Sequence, residues 1–207
     1  MTPSLAVVKT SAPETSEGLV PGWLVAEMPP GYRNRYEEIQ RLSAEIRGMD
    51  RVGRLLWDSG ASLAEAVHEA FTALKTEPEW SSDGSFLTVR VDAKRRLIVH
   101  VAGSDGPLDK RSDAVTAAFR ALQEAAGPED RAVLVTTGDR QLPPKERADS
   151  VTPEALELLK RMGVIVLPSP TLFNLWTLSL TELNEARTYL ELLHAQDGGA
   201  FKLKTGK

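Results

Sequence analysis

Side chains that can do chemistry gather around residues 95–104, which read RRLIVHVAGS. His100, one of the 3 histidines of the chain, lies two residues before Ala102, so in a strand both side chains point to the same face of the sheet. An imidazole can transfer a proton near neutral pH, but a lone imidazole beside a methyl group offers too few ligands for a divalent metal ion. We therefore expect His100 to be a structural or partner-binding residue, hydrogen-bonded to a neighbour such as Ser62 or Ser104.

Three acids flank this segment in the sequence, Asp83, Asp92 and Asp105. A metal-dependent hydrolytic site built from them would need at least two carboxylates within a few ångströms of one point. Each acid lies in a stretch typical of a turn, where exposed aspartates are common. A metal site is therefore the weaker interpretation, and the sequence predicts neither a metal nor a cofactor.

A basic run, Lys94, Arg95 and Arg96, opens the same segment. Cations in a row can bind a phosphate backbone, which makes these residues the candidate phosphate-binding group. Acidic side chains are interspersed among them and among Lys110 and Arg111, and these acids are Asp92, Asp105, Asp109 and Asp113. The pattern favours a solvated surface of mixed charge over a phosphate site.

The hydrophobic pattern around these residues predicts the element order helix, three strands, helix, strand. Ser62, with Glu65 three residues later, is typical of a capping box at a helix start. The predicted elements are a helix over residues 62–74, strands over 77–81, 86–91 and 96–102, a helix over 108–126 and a strand over 131–137.

Further elements extend this core on both sides. Thr152 followed by Pro153 is typical of a helix start. The additional predictions are helices over residues 32–47, 152–162, 170–180 and 181–194 and a strand over 164–167. We therefore expect one α/β domain over residues 32–197, followed by a basic tail over 198–207.

The first 31 residues differ in composition from the rest. Residues 1–18 are rich in Thr, Ser, Pro and Glu and predict a flexible tail. An apolar segment follows at residues 19–28, in which Trp23 and Leu24 are candidate partner-binding residues. The segment can dock on a second protein or fold back on its own domain, and the sequence leaves both open.

Residues 55–176 resemble the PD-(D/E)XK restriction-endonuclease-like superfamily, especially its small prokaryotic members. The similarity rests on the helix that follows Leu55-Leu56-Trp57, the three-strand meander, the VHVAG strand, and the stretch from Leu142-Pro143-Pro144 to Thr171-Leu172-Phe173. It implies a three-layer α/β core, in which a mixed central sheet is flanked by helices, with extra N- and C-terminal helices.

The resemblance also implies where a nuclease site would lie. In that family a helix glutamate, a strand aspartate and a Glu-x-Lys pair hold the metal and the attacking water. The matching positions in this chain are Ala64, Phe86, His100 and Ala102. All four have lost the required chemistry, so the resemblance implies a scaffold without nuclease activity.

Composition sets the remaining bounds. The chain has 207 residues, a formal net charge of −4 and no cysteine, which suits a single globular domain and excludes thiolate metal sites and disulfides. The acidic balance argues against a broad nucleic-acid-binding surface. Neither a membrane span nor a secretion signal is recognisable, so we expect a cytoplasmic protein.

Three functional hypotheses follow. The first is a non-catalytic endonuclease-like domain that acts as an interaction, regulatory or scaffold module, with a protein partner or as a homodimer. The second is a pseudonuclease that still binds nucleic acid through Lys94, Arg95 and Arg96. The third is an active nuclease whose site has moved to acids such as Asp83, Asp92 or Asp105.

Overall fold

The computed structural model describes residue 23, residues 27–125 and residues 127–203. The chain divides into two compact units, Met1–Ile46 and Arg47–Lys207. This division differs from the predicted start of a single domain at residue 32. Leu24 and most of the apolar segment 19–28 lie outside the described residues, whereas Trp23 is described and is 66% exposed.

Helix α1 (Tyr32–Gly53) is longer than the predicted helix 32–47. The sequence suggested a break near Gly48 and Gly53, but Gly53 has helical angles of φ −52° and ψ −27°. A glycine inside a helix costs only about 1 kcal/mol, which neighbouring helix-forming residues can offset. Within the first unit, Arg33 pairs with Glu37 at 2.8 Å, one helical turn away.

The second unit contains a single six-stranded mixed sheet with the strand order β1 to β6. The strands are β1 (Glu77–Trp80), β2 (Leu87–Arg90), β3 (Arg96–Ala102), β4 (Asp130–Thr136), β5 (Val164–Pro168) and β6 (Gly199–Ala200). Strands β1 to β3 form an antiparallel meander, and β3 to β6 are parallel. Strand β3 has the predicted bounds.

One helix precedes the sheet, the others connect its parallel strands, and together they cover both faces. They are α2 (Gly60–Ala73), α3 (Asp113–Glu124), α4 (Pro153–Arg161), α5 (Ser169–Ser179) and α6 (Leu183–His194). On one face, buried residues of α2, α5 and α6 form a cluster with strand residues such as Leu97 and Val99. On the other face, buried residues of α3 and α4 form a second cluster with strand residues such as Ile98 and Leu134. The alternation along each strand thus produces three layers, because successive side chains enter opposite clusters.

The structure corrects the predicted starts of two helices. Helix α2 begins at Gly60, and Ser59 rather than Ser62 occupies its N-cap position, without a capping hydrogen bond from its side chain. The predicted helix over 108–126 begins only at Asp113, because Leu108 instead exchanges backbone hydrogen bonds with Ser150 and Thr152.

The predicted tail over 198–207 is also corrected, because it begins with folded residues. Strand β6 pairs with Ile165 and Val166 of β5, and Phe201 is only 5% exposed. The N-cap at Thr152 is confirmed, since its hydroxyl accepts a hydrogen bond from the Ala155 N–H. Among the described residues, no helix combines the length and the apolar character needed to cross a bilayer.

Candidate functional site

Strand β3 places His100 against Phe86. The register of β2 and β3 pairs Leu87 with Val99, so the residue before Leu87 lies beside the residue after Val99 on the same face. The two rings meet edge to face, with centroids 6.1 Å apart and planes at 63°. Phe86 is buried, and an edge-to-face contact of this kind stabilises an aromatic pair beyond the area that it buries.

The polar partner of His100 is a backbone carbonyl rather than Ser62 or Ser104. Its Nδ1 lies 3.3 Å from the carbonyl oxygen of Ser85. Because a carbonyl oxygen only accepts, Nδ1 must carry the proton of the neutral ring. Burial lowers the pKa of His100 below its ordinary value, and the bond to Ser85 only partly offsets this. The imidazole is therefore neutral at physiological pH.

Ala102 continues the same face and extends the apolar surface. It packs against the buried cluster that contains Phe86, and its partner in β4 is Thr136. After Ala102 the chain passes close to α2, since a Cβ built on Gly103 would lie 2.7 Å from the Cβ of Ser59. Glycine is therefore required where β3 meets the start of α2.

Ala64 does not join these three positions on the same face of the sheet. It lies in α2, whose buried residues Leu63 and Val67 pack in the cluster on the opposite face, together with Leu97 and Val99. Phe86, His100 and Ala102 thus lie on the face of the sheet that α3 and α4 cover, whereas Ala64 lies in a helix that covers the opposite face.

The three candidate acids are held in separate turns. Hydrogen bonds from Ser85 and Ser81 lower the pKa of Asp83 to about 2. Bonds from the Lys94 and Arg95 backbone likewise lower the pKa of Asp92 to about 2. These two acids lie before and after β2, at opposite ends of the strand.

Asp105 follows β3 and has a different partner, since its carboxylate accepts two hydrogen bonds from Arg140. This contact lowers the pKa of Asp105. Within residues 23, 27–125 and 127–203, no three His, Asp or Glu side chains are grouped so that they could hold a metal ion. The structure therefore does not bring Asp83, Asp92 and Asp105 together.

The basic run is largely neutralised by carboxylates. Arg96 donates from Nε and Nη2 to both oxygens of Asp130, at 2.9 and 2.6 Å. Arg95 donates to Asp92 at 2.5 Å and lies 4.0 Å from Glu191. Only Lys94 of the three makes no side-chain hydrogen bond or ion pair with a described residue. The three cations therefore do not present one continuous positive surface.

Lys94 and Arg96 line a depression of about 830 Å³ beside strands β1 and β2. Its other cations are Lys75 and Arg90, and its carboxylates are Glu77, Glu79, Asp92, Glu129 and Asp130. The acids outnumber the bases, so this depression does not attract a polyanion through its net charge. Trp80 adds one aromatic face, 41% exposed, and its ring stacks on His68 with planes 14° apart.

Two arginines that the sequence analysis missed organise the carboxyl ends of β3 and β4. Arg140 bridges Asp105 and the Ser59 hydroxyl, which it reaches at 2.6 Å. Arg147 donates to several backbone carbonyls, among them Leu142 at 2.8 Å and Leu56, and burial lowers its pKa. The nitrogens of both guanidinium groups donate hydrogen bonds to these loops, so the two arginines hold the loops together at this edge of the sheet.

Comparisons with protein-family models, with curated proteins and with solved structures give no match for this chain. Its function must therefore be inferred from its own residues and their geometry.

Proposed function

We propose that this protein is a non-catalytic domain of the restriction-endonuclease-like type that acts by binding another protein. The observation that carries the proposal is the edge-to-face contact of Phe86 with His100. In the proposed assignment these adjacent positions are those of the two strand carboxylates. A neutral imidazole and a phenyl ring in contact there supply no charge for a metal ion.

The topology supports the assignment of the scaffold. The element order α2, β1, β2, β3, α3, β4 is the predicted one, with an antiparallel meander followed by a parallel strand. Helices cover both faces. The mixed sheet with helices on both faces is compatible with the proposed scaffold, and Phe86, His100 and Ala102 on one face supply no carboxylate or lysine there.

The charges favour a protein over a nucleic acid as partner. The bidentate contact of Arg96 with Asp130 and the contact of Arg95 with Asp92 would have to be broken before these side chains could bind a phosphate. Breaking an ion pair in which Asp130 has only 2% of its side chain exposed is costly. Binding of DNA through this run would therefore be weak.

The experiment combines cleavage and metal binding. We expect the purified chain to leave single- and double-stranded DNA and RNA intact with Mg²⁺ or Mn²⁺, and to show no heat of metal binding in calorimetry. We expect the double substitution Phe86→Asp with His100→Glu to restore a measurable Mn²⁺ affinity, because it places two carboxylates side by side on neighbouring strands.

The single substitutions Phe86→Asp and His100→Glu are the matched controls, since one carboxylate alone is a poor site. Cleavage by the unaltered protein that a point substitution abolishes would refute the proposal. A folded double variant that binds Mn²⁺ no better than the single variants would refute the assignment of the two positions.

A second candidate function, weak binding of nucleic acid, is favoured by one observation. Lys75 and Lys94 both line the depression beside β1 and β2, and neither side chain has a hydrogen-bond or ion-pair partner among the described residues. This candidate predicts binding of a single-stranded oligonucleotide that falls steeply with added salt and falls further in Lys94→Ala. No binding at low salt would remove it.

A further inference from the structure

We propose that residues 35–46 of helix α1 form an antiparallel pair with the same helix of a second copy of this chain. The inference rests on the proposed function, because it names the partner that a non-catalytic module would bind. Its basis is a row of exposed aliphatic side chains, Ile39, Leu42 and Ile46, in a segment whose other exposed side chains, apart from Ala44, are polar.

The exposure of this row is unusual for a folded protein. Ile39 is 59% exposed, Leu42 43% and Ile46 58%, and none of them belongs to either buried cluster. Their spacing of three and four residues places them in one stripe along the helix. The same spacing lets two helices pack with interlocking side chains, so a second helix is the partner whose shape fits.

The acids beside the stripe are already paired within the helix. Arg41 donates to Glu45 at 2.5 Å and to Glu38 at 2.7 and 3.2 Å. One arginine thus serves two carboxylates, which leaves this flank of the stripe with one uncompensated negative charge. A partner helix would be stabilised by supplying one positive charge at that flank.

Arg35 supplies this charge when the second helix runs antiparallel. It precedes Ile39 by one helical turn, in line with the stripe, and it makes no ion pair within the described part of the chain. When Ile39 of one copy lies level with Leu42 of the other, Arg35 lies level with Ile46 of the other copy and beside Glu45. The contact repeats by two-fold symmetry, as an isologous interface requires.

A parallel pair lacks this complementarity. Equivalent residues of the two copies would then lie at the same level, so Arg35 would meet Arg35 in line with the aliphatic layers. Like charges at that place destabilise the pair. The position of Arg35 therefore selects the antiparallel arrangement.

The first test measures mass. We expect light scattering of the full-length chain to show a reversible monomer–dimer equilibrium between about 1 and about 300 µM. We expect Leu42→Glu to raise the dissociation constant by roughly tenfold or more, because it places a charge in the aliphatic layer. The matched control is Ala44→Glu, which adds the same charge to an exposed position outside the stripe, and we expect it to leave the dimer intact.

The second test determines whether the two helices run antiparallel or parallel. Because the chain has no cysteine, every disulfide that forms must join introduced residues. Under mild oxidation, a mixture of Arg35→Cys and Ile46→Cys chains should cross-link between the two variants. Each variant alone should not, since identical positions would be about 16 Å apart along the axis, beyond the reach of a disulfide.

Self-cross-linking of Ile46→Cys, which keeps Arg35 in both chains, would overturn the antiparallel arrangement. A chain that stays monomeric at every concentration, or a dimer that Leu42→Glu and Ala44→Glu affect equally, would overturn the interface. These results are independent of the proposed lack of catalysis, which cleavage and metal binding decide. Because the stripe lies outside both buried clusters, circular dichroism should show the same fold for all variants.

Discussion

At the scale of single residues, His100 illustrates how a polar side chain can be accommodated without a catalytic role. Its ring contacts Phe86, and its Nδ1 proton points to the Ser85 carbonyl. One nitrogen is thus satisfied by the backbone of the neighbouring turn, and the ring meets Phe86 edge to face. The charged form has no carboxylate partner in this contact, which is consistent with the lowered pKa.

This arrangement predicts a pH dependence of stability. Because the folded state has the lower pKa, the unfolded chain binds the proton first as the pH falls below 6.5, the ordinary value for histidine. The free energy of unfolding therefore decreases in that range. We expect His100→Gln to remove this component, so that urea denaturation at pH 7.5 and pH 5.5 shows a smaller loss of stability than in the unaltered chain. Equal losses in both proteins would contradict the prediction.

At the scale of secondary-structure elements, a side-chain contact joins the beginnings of two parallel strands. Arg96 opens β3 and Asp130 opens β4, and the register pairs the two residues directly. Asp130 also accepts a hydrogen bond from the Gly127 N–H at 3.0 Å. The turn that leads into β4 and the first residue of β3 are therefore tied to one carboxylate.

We expect Arg96→Gln to lower the free energy of unfolding by about 2 kcal/mol at pH 7, because it removes two charged hydrogen bonds from a buried carboxylate. The control is Arg90→Gln, whose pairs with Glu77 and Glu79 are exposed and are each worth less than about 1 kcal/mol. Thermal or urea denaturation measures both. Equal losses in the two variants would argue against a special role for the buried pair.

The contribution of the Arg96–Asp130 pair to stability also depends on pH. Here the cause is a stabilised charged group, whereas for His100 it is burial of a neutral one. The hydrogen bond from Arg96 holds the pKa of Asp130 below its ordinary value of 3.8. Its stabilising effect is complete above that value and is lost as the pH falls through the folded-state pKa. The difference between Arg96→Gln and the unaltered chain should therefore shrink at acid pH.

Sequence patterns predicted these elements well where an apolar run is bounded by turn or cap residues. The run between the turn 92–94 and Gly103 gave the bounds of β3, and the Thr152-Pro153 pair gave the start of α4. The pattern could not distinguish an aliphatic stripe that faces a core from one that faces solvent, so the exposure of Ile39 and Ile46 was not foreseen. The contact between Arg140 and Asp105 also went unforeseen, because it joins residues 35 positions apart whose proximity arises only from the sheet.

At the scale of the whole molecule, the buried clusters define how much of the chain the folded sheet unit needs. Both clusters draw their buried residues from Val52 to Phe201. At the carboxyl end, the Phe201 N–H donates to the Val166 carbonyl at 2.8 Å, so the chain is still part of the sheet beyond β6. Leu203 packs against the cluster that contains Phe201. The basic composition after residue 198 concealed this, because one aromatic residue among lysines carries no periodicity.

Two truncations test where the folded unit ends. We expect a chain that stops at residue 197 to lose about 3 kcal/mol or more of unfolding free energy, since it lacks β6 and the buried ring of Phe201. A chain that stops at Leu203 keeps these contacts and should match the full chain within about 0.5 kcal/mol. Urea denaturation followed by circular dichroism compares the three proteins. Equal stability of the two truncated chains would show that the last strand adds nothing, and would return the boundary to residue 197.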